Sequence, residues 1–200
     1  IGTATSVQEA KLIAEKGIDA ITAQGIEAGG HRGSFITEEA LPQIGLMALL
    51  PQMADSVNIP VIASGAINDG RTIKAAFMLG ALGVQIGTAF IASNESIAIP
   101  SYKAALATAT DTDTTLTRTY SGRWARGIKN EFVKLVRNSG SSIPPYPVQN
   151  SLTGTLRAVA QQHDNNQFTN MWAGQAAFGA QQKPAATICW EMVKGTEEFK

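Results

Sequence analysis

Gln24-Gly25-Ile26-Glu27-Ala28-Gly29-Gly30-His31-Arg32-Gly33 is the segment of this chain best equipped for chemistry. It presents one imidazole among glycines, directly after the apolar run Asp19-Ala20-Ile21-Thr22-Ala23. Glycine admits positive φ and lets the backbone come close to a ligand. An imidazole that titrates at about pH 6.5 can move a proton or orient an anion. Taken alone, a histidine on such a turn is more often structural. The other histidine, His163, lies in the polar run Gln161-Gln162-His163-Asp164-Asn165-Asn166 and reads as a solvated helix end. Two further strand-to-turn junctions, Ser64-Gly65-Ala66 and Gln85-Ile86-Gly87-Thr88, strengthen the case for His31.

Such junctions need strands before them and helices after them. Ile1-Gly2-Thr3-Ala4 reads as a strand end, and Ser6-Val7-Gln8-Glu9 as a capping box that opens a helix. Val7, Ala10, Ile13 and Ala14 form its apolar stripe, and Gly17 stops it. The pattern predicts strands over 18–23, 61–64 and 83–87, and helices over 41–57 and 71–79, the former interrupted by Pro42, Gly45 and Pro51. Strands separated by single helices are βαβ units of a parallel sheet. In a (β/α)8 barrel the carboxyl ends of the strands build the site, often with a phosphate cup after strands 7 and 8. Ser64-Gly65-Ala66 and Gln85 to Thr88 suit that cup, because small residues bare backbone N–H groups and a short helix start follows Thr88. The same glycines also suit plain tight turns. Arg32 reads as solvent-facing and Glu27 as turned away to satisfy loop N–H groups.

Composition excludes several classes. Two hundred residues, 44% of them hydrophobic, suffice for a real core. Sixteen basic against sixteen acidic side chains offer nothing to nucleic acid or a membrane surface. One cysteine, Cys189, and two histidines argue against a disulfide and a metal centre. No apolar run approaches the roughly 20 residues that span a bilayer, and the N-terminus lacks the pattern of a signal peptide. A soluble cytoplasmic protein is expected.

At this point the chain resembles the nitronate monooxygenase (2-nitropropane dioxygenase) family of FMN-dependent barrels. The matching segments are 23–33, 60–67 and 83–90, joined by Ser121-Gly122-Arg123-Trp124-Ala125-Arg126-Gly127-Ile128 and Trp172-Ala173-Gly174-Gln175. The resemblance implies that His31 is catalytic and that FMN contacts fall on Gln24, Gly29, Gly65, Ala66, Gln85, Ile86, Gly87 and Thr88, with no metal. It implies oxidation of alkyl nitronates with O2 to a carbonyl compound and nitrite. The family usually has two glycines where this chain has Gly65-Ala66; an alanine N–H there serves a phosphate if its φ is negative. An FMN-dependent enoyl-acyl-carrier-protein reductase shares the Glu27–His31 pattern and is the nearest alternative. A phosphate-binding barrel without turnover is the second.

The expected fold is α/β: the C-terminal half of a TIM barrel over 1–95, followed by a helical region over 96–200. Four strands are half of what barrel closure needs, and such barrels run to about 250 residues or more. The chain therefore reads as a fragment, or as one of two chains that complete a barrel, and the missing upstream half is expected to contact the flavin ring. Over 96–200 the expectation is helix at 96–108 and 151–162, a polar stretch at 110–119, and a strap at Pro144-Pro145-Tyr146-Pro147. Trp172 and Gln175 are three apart, a spacing that would share a helix face over a pocket or simply anchor Trp172 against the helices.

Overall fold

The computed structural model describes residues 1–36 and 41–198. Strand β1 (Gly2–Ala4) leads through α1 (Val7–Glu15) to β2 (Ile21–Gln24), and the chain then passes a two-residue strand, β3 (Gly30–His31). Helix α2 (Leu46–Ala54), β4 (Val61–Ser64), α3 (Gly70–Met78), β5 (Gly83–Gln85) and the single turn α4 (Thr88–Ile91) follow. Strands β1, β2, β4 and β5 form one parallel sheet in that spatial order. Ala23 pairs with Ala4 on one side and Ala63 on the other, and Ser64 pairs with Gln85. Consecutive parallel strands joined by helices are what the alternating pattern requires. β1 and β5 are the outer strands, so closure into a barrel is not seen among the described residues.

Small side chains make this sheet compact. Ala4, Ile21, Ala23, Val61 and Ala63 are buried beneath Leu49, Leu50 and Met53 of α2 and Ile73 and Ala76 of α3. A parallel sheet covered by helices reads as an apolar run, as β2 does. Helix α1 shows only half of the expected capping box. Ser6 accepts the Glu9 N–H at 3.2 Å, whereas the Glu9 carboxylate takes the Thr5 N–H at 2.6 Å and the Phe35 N–H at 2.7 Å. Glu9 thus ties the loop after β3 to the helix. Helix α2 is shorter than the expected 41–57. It begins where the Glu27 carboxylate accepts the Leu46 N–H at 3.0 Å, and Pro51 lies inside it.

The second half departs from the helical expectation. After α5 (Pro100–Ala107) come strands β6 (Thr114–Thr117) and β7 (Ala125–Ile128), then α6 (Glu131–Asn138), α7 (Val148–Leu152), α8 (Gly154–Gln162) and α9 (Ala185–Glu197). Strands β3, β7 and β6 form an antiparallel sheet, so the threonine-rich stretch is an edge strand. β-branched threonine fits a half-buried pleat. The division at residue 95 does not separate two packing units. Ile188 and Met192 of α9 join the core of the parallel sheet. At the crossing of α9 with α3, a Cβ on Gly70 would lie 2.0 Å from the Gly195 carbonyl carbon. A smaller core of Tyr102, Leu106, Ile128, Met171 and Ala173 holds the rest.

Candidate active site

The carboxyl ends of β2, β4 and β5 open onto a cleft of about 310 Å3. Gln24, Gly29, Gly65, Ala66, Gln85, Ile86, Gly87 and Thr88 all line it, so every residue assigned above to the cofactor falls on one surface. Thr3, Thr22, Asn68, Trp172, Gly174 and Ala176 are among the other lining residues and had not been singled out as cofactor contacts.

The floor is main chain. Gly65 has φ 128° and Ala66 has φ 53°. The condition set above, a negative φ at Ala66, is not met: the turn after β4 needs a left-handed residue where the resemblance places glycine, but a left-handed residue keeps its amide, and successive N–H groups in such turns form anion-binding nests. No hydrogen bond among the described residues uses the backbone N–H of Ala66, Gly87 or Thr88. Nothing lies within 4 Å of a Cβ built on Gly87, so its Cα faces open space. The Thr88 hydroxyl accepts the Gly174 N–H at 3.0 Å and keeps its own proton for another acceptor.

The C-terminal segment forms the opposing wall at close quarters. A Cβ on Gly29 would sit 2.5 Å from the Gly174 nitrogen, and one on Gly174 would sit 2.7 Å from the Glu27 oxygen. The Gln175 N–H donates to that same oxygen at 2.9 Å. Trp172 bridges Gly127 of β7, and the Tyr102 hydroxyl donates to its carbonyl oxygen. Trp172 thus sits in a β-bridge and Gln175 in the turn that follows, neither on a helix.

Gln24 has a second task. Its Nε2 donates to the His31 carbonyl at 3.0 Å, and its Oε1 accepts the Gly33 N–H at 2.9 Å. The amide clamps both sides of His31 while keeping one donor and one acceptor position to spare. Arg32 is buried, contrary to the solvent-facing expectation. One terminal nitrogen donates to the Gln24 carbonyl at 2.9 Å and the other to that of Gly25, pinning the loop to the end of β2. Burial, with Arg126 nearby, pushes its pKa down to about 10, which leaves it charged at neutral pH.

His31 stands at the edge of the cleft and does not line it. Its ring packs on Trp172, with centroids 5.2 Å apart at 59°. Trp172 is in turn met edge-on by Tyr120 at 5.4 Å. The His31 Nε2 and Ser121 Oγ are 2.7 Å apart. Burial of the ring, then the charges of Arg123 and Arg157, hold its pKa below the ordinary histidine value, so the ring is neutral at neutral pH. A neutral imidazole has one donor and one acceptor. If Ser121 donates into Nε2, Nδ1–H is a donor; if Nε2–H donates to Ser121, Nδ1 is a base. Sequence reasoning had quoted Ser121 in a matching segment without giving it a task, because it lies 90 residues from its partner. His163 is exposed at the end of α8.

The fold and cleft define an α/β protein that presents unpaired main-chain donors at its strand ends, with a positioned imidazole beside them. A profile of the nitronate monooxygenase family matches residues 1–195, and the chain belongs to that family. It is 46% identical over its full length to a probable nitronate monooxygenase of Staphylococcus saprophyticus, covering 57% of that protein. It is 48% identical over 189 residues to one of Staphylococcus aureus, covering 94% of this chain and 53% of the relative. The chain therefore spans about half the length of the curated relatives it matches. Among solved structures, nitroalkane oxidase from Streptomyces ansochromogenes superposes with a TM-score of 0.91 at 37% identity, over 98% of this chain and 56% of that one. FabK from Thermotoga maritima superposes with a TM-score of 0.81 at 33% identity, over 98% and 60%. No helix of the described residues is long and apolar enough to cross a membrane.

Proposed function

We propose that the protein to which this chain belongs uses FMN to oxidise alkyl nitronates, and the nitroalkanes that yield them, with O2 to a carbonyl compound and nitrite. One observation carries the reading: three strand ends converge on a cleft where the N–H groups of Ala66, Gly87 and Thr88 have no partner among the described residues, with a neutral imidazole at its edge. A phosphate dianion suits this cradle. The N–H groups of Ala66, Gly87 and Thr88 and the Thr88 hydroxyl would hold it, and the space above Gly87 would receive it. Gly65, Gln85 and Ile86 would bound the rest of FMN on the strand side, and Gln24 and Gly29 on the loop side. The volume is near the lower limit of small-molecule sites, roughly 300–1,000 Å3. That suits the phosphate end of FMN, with the ring left to the upstream half. When bound, a flavin supplies the redox chemistry between substrate and O2.

His31 handles the proton and the anion. As a base it removes the α-proton of a neutral nitroalkane; as an N–H donor it orients the nitro oxygens. Ser121 and Trp172 hold the ring for either task. The Glu27–His31 pattern keeps an FMN-dependent enoyl-acyl-carrier-protein reductase as the second reading. The visible spectrum of the full-length protein and nitrite release from a nitronate test the proposal. A flavin spectrum with nitrite formation is expected, with slow bleaching by NADPH under anaerobic conditions. Rapid bleaching without nitrite would favour the reductase. A colourless or inactive protein would leave only phosphate binding.

A further inference from the structure

A second cavity of about 310 Å3 lies beyond the His31 loop and shares no lining residue with the cleft. Arg32, Arg118 and Arg123 line it together with Phe35, Trp124 and Tyr146, and no acidic side chain lines it among the described residues. Two of its guanidinium groups, those of Arg118 and Arg123, are not used up. Arg118 spends Nε on the Gly122 carbonyl at 2.8 Å, and its terminal nitrogens bond to nothing described. Arg123 makes one long bond of 3.3 Å to the Ser34 carbonyl. Arg32 is 3% exposed, yet its Nε is buried without a partner. None of the three joins an ion pair among the described residues. Buried donors normally find acceptors, and guanidinium forks match carboxylate and phosphate oxygens. The aromatic side chains, with Tyr146 54% and Phe35 51% exposed, offer ring faces for stacking beside those charges.

We propose that this cavity binds an anion carried on a flat aromatic body, the chemistry shared by a nucleoside monophosphate and an aromatic carboxylate. Arg118 and Arg123 take the anionic group, with the buried charge of Arg32 behind them, and Trp124 and Tyr146 take the ring. The inference is independent of the reading of the cleft. Calorimetric titration of the flavin-loaded full-length protein with AMP, adenosine, inorganic phosphate and benzoate tests it. Saturable binding of AMP or benzoate is expected, with adenosine and phosphate each about tenfold weaker than AMP or worse. AMP without benzoate identifies the nucleotide source, and benzoate without AMP the carboxylate source. Arg118→Gln should weaken the bound probe about tenfold, and Arg118→Lys, which keeps the charge but loses the fork, should fall between. Tyr146→Ala should weaken the aromatic probe and leave phosphate unchanged. Absence of saturable binding by both aromatic anions, binding untouched by Arg118→Gln, or phosphate binding as tightly as AMP would each overturn the proposal. The flavin spectrum, recorded in parallel, reports on the cleft separately.

Discussion

The two sheets of this molecule meet around the cleft but contribute to it by different means. The parallel sheet offers backbone: the turns after β4 and β5 present N–H groups that almost any small residue could carry. The antiparallel sheet offers side chains: β3 presents His31, and Ser121, just before β7, fixes it against Trp172. A backbone cradle fails only when something fills it or the turn cannot form. A side-chain constellation fails when one atom is removed. Substitutions in the two regions should therefore separate cofactor retention from turnover.

The largest effect is expected at His31. In the full-length protein, His31→Asn should lower turnover of neutral nitroalkanes about 10²–10⁴-fold while flavin content stays normal. Preformed nitronates, which need no proton removed, should lose less if the residue is a base. Steady-state rates on both substrate forms decide this. Equal large losses would make His31 an orienting donor, and wild-type rates on both would remove it from the mechanism.

Gly87→Val should break the other side of the comparison. Its side chain would enter the open space above Gly87, and the protein should purify with little FMN. Full flavin occupancy would mean that the cradle lies elsewhere. Thr88→Val removes one donor to a charged group, worth about 1.5–3 kcal/mol, so FMN should dissociate roughly tenfold more readily or worse. Fluorescence of released flavin measures both.

The two regions also differed in how far the sequence revealed them. Strand β4 fell at 61–64 as expected, because βαβ alternation is a local signal, and the residues that the family resemblance assigned to the cofactor line one cleft. β6 and β7 were not foreseen. The pairing of β7 with β3 spans roughly a hundred positions, and β3 is only two residues long, whereas β6 pairs locally with β7 but its threonines read as a polar stretch. The same distance concealed the Ser121 contact. Arg32 was misplaced because its carbonyl partners, Gln24 and Gly25, come within reach only after the loop folds back on β2.

A smaller effect concerns pH. The His31 pKa is held down in the folded protein, so the unfolded chain binds a proton more readily there. Activity that needs the neutral ring should fall only as pH drops through the lowered folded value, whereas stability should already fall from the ordinary histidine value down to it and no further below. Arg123→Gln removes one of the charges responsible, so the acid limb of kcat/KM for a neutral nitroalkane should move to higher pH. An unmoved limb would assign it to another group.

The smallest effect, at Ala66, tests whether the cradle depends on backbone alone. Alanine at φ 53° pays the steric cost of the left-handed region, about 1–2 kcal/mol, which glycine avoids. Glycine loses more conformational freedom on folding, a cost of roughly 0.5–1 kcal/mol relative to alanine. The first contribution exceeds the second, so Ala66→Gly should stabilise the flavin-loaded protein by somewhat under about 1 kcal/mol, a rise in Tm of about 2 °C. FMN affinity should stay the same, since the N–H offered to the phosphate is retained and no side-chain polar atom is lost. Thermal unfolding and flavin release measured on one preparation check both halves. A lower Tm would show that the Ala66 methyl packs against something the backbone argument omits. Weaker FMN binding at raised stability would show that the left-handed alanine holds the turn in shape for the phosphate.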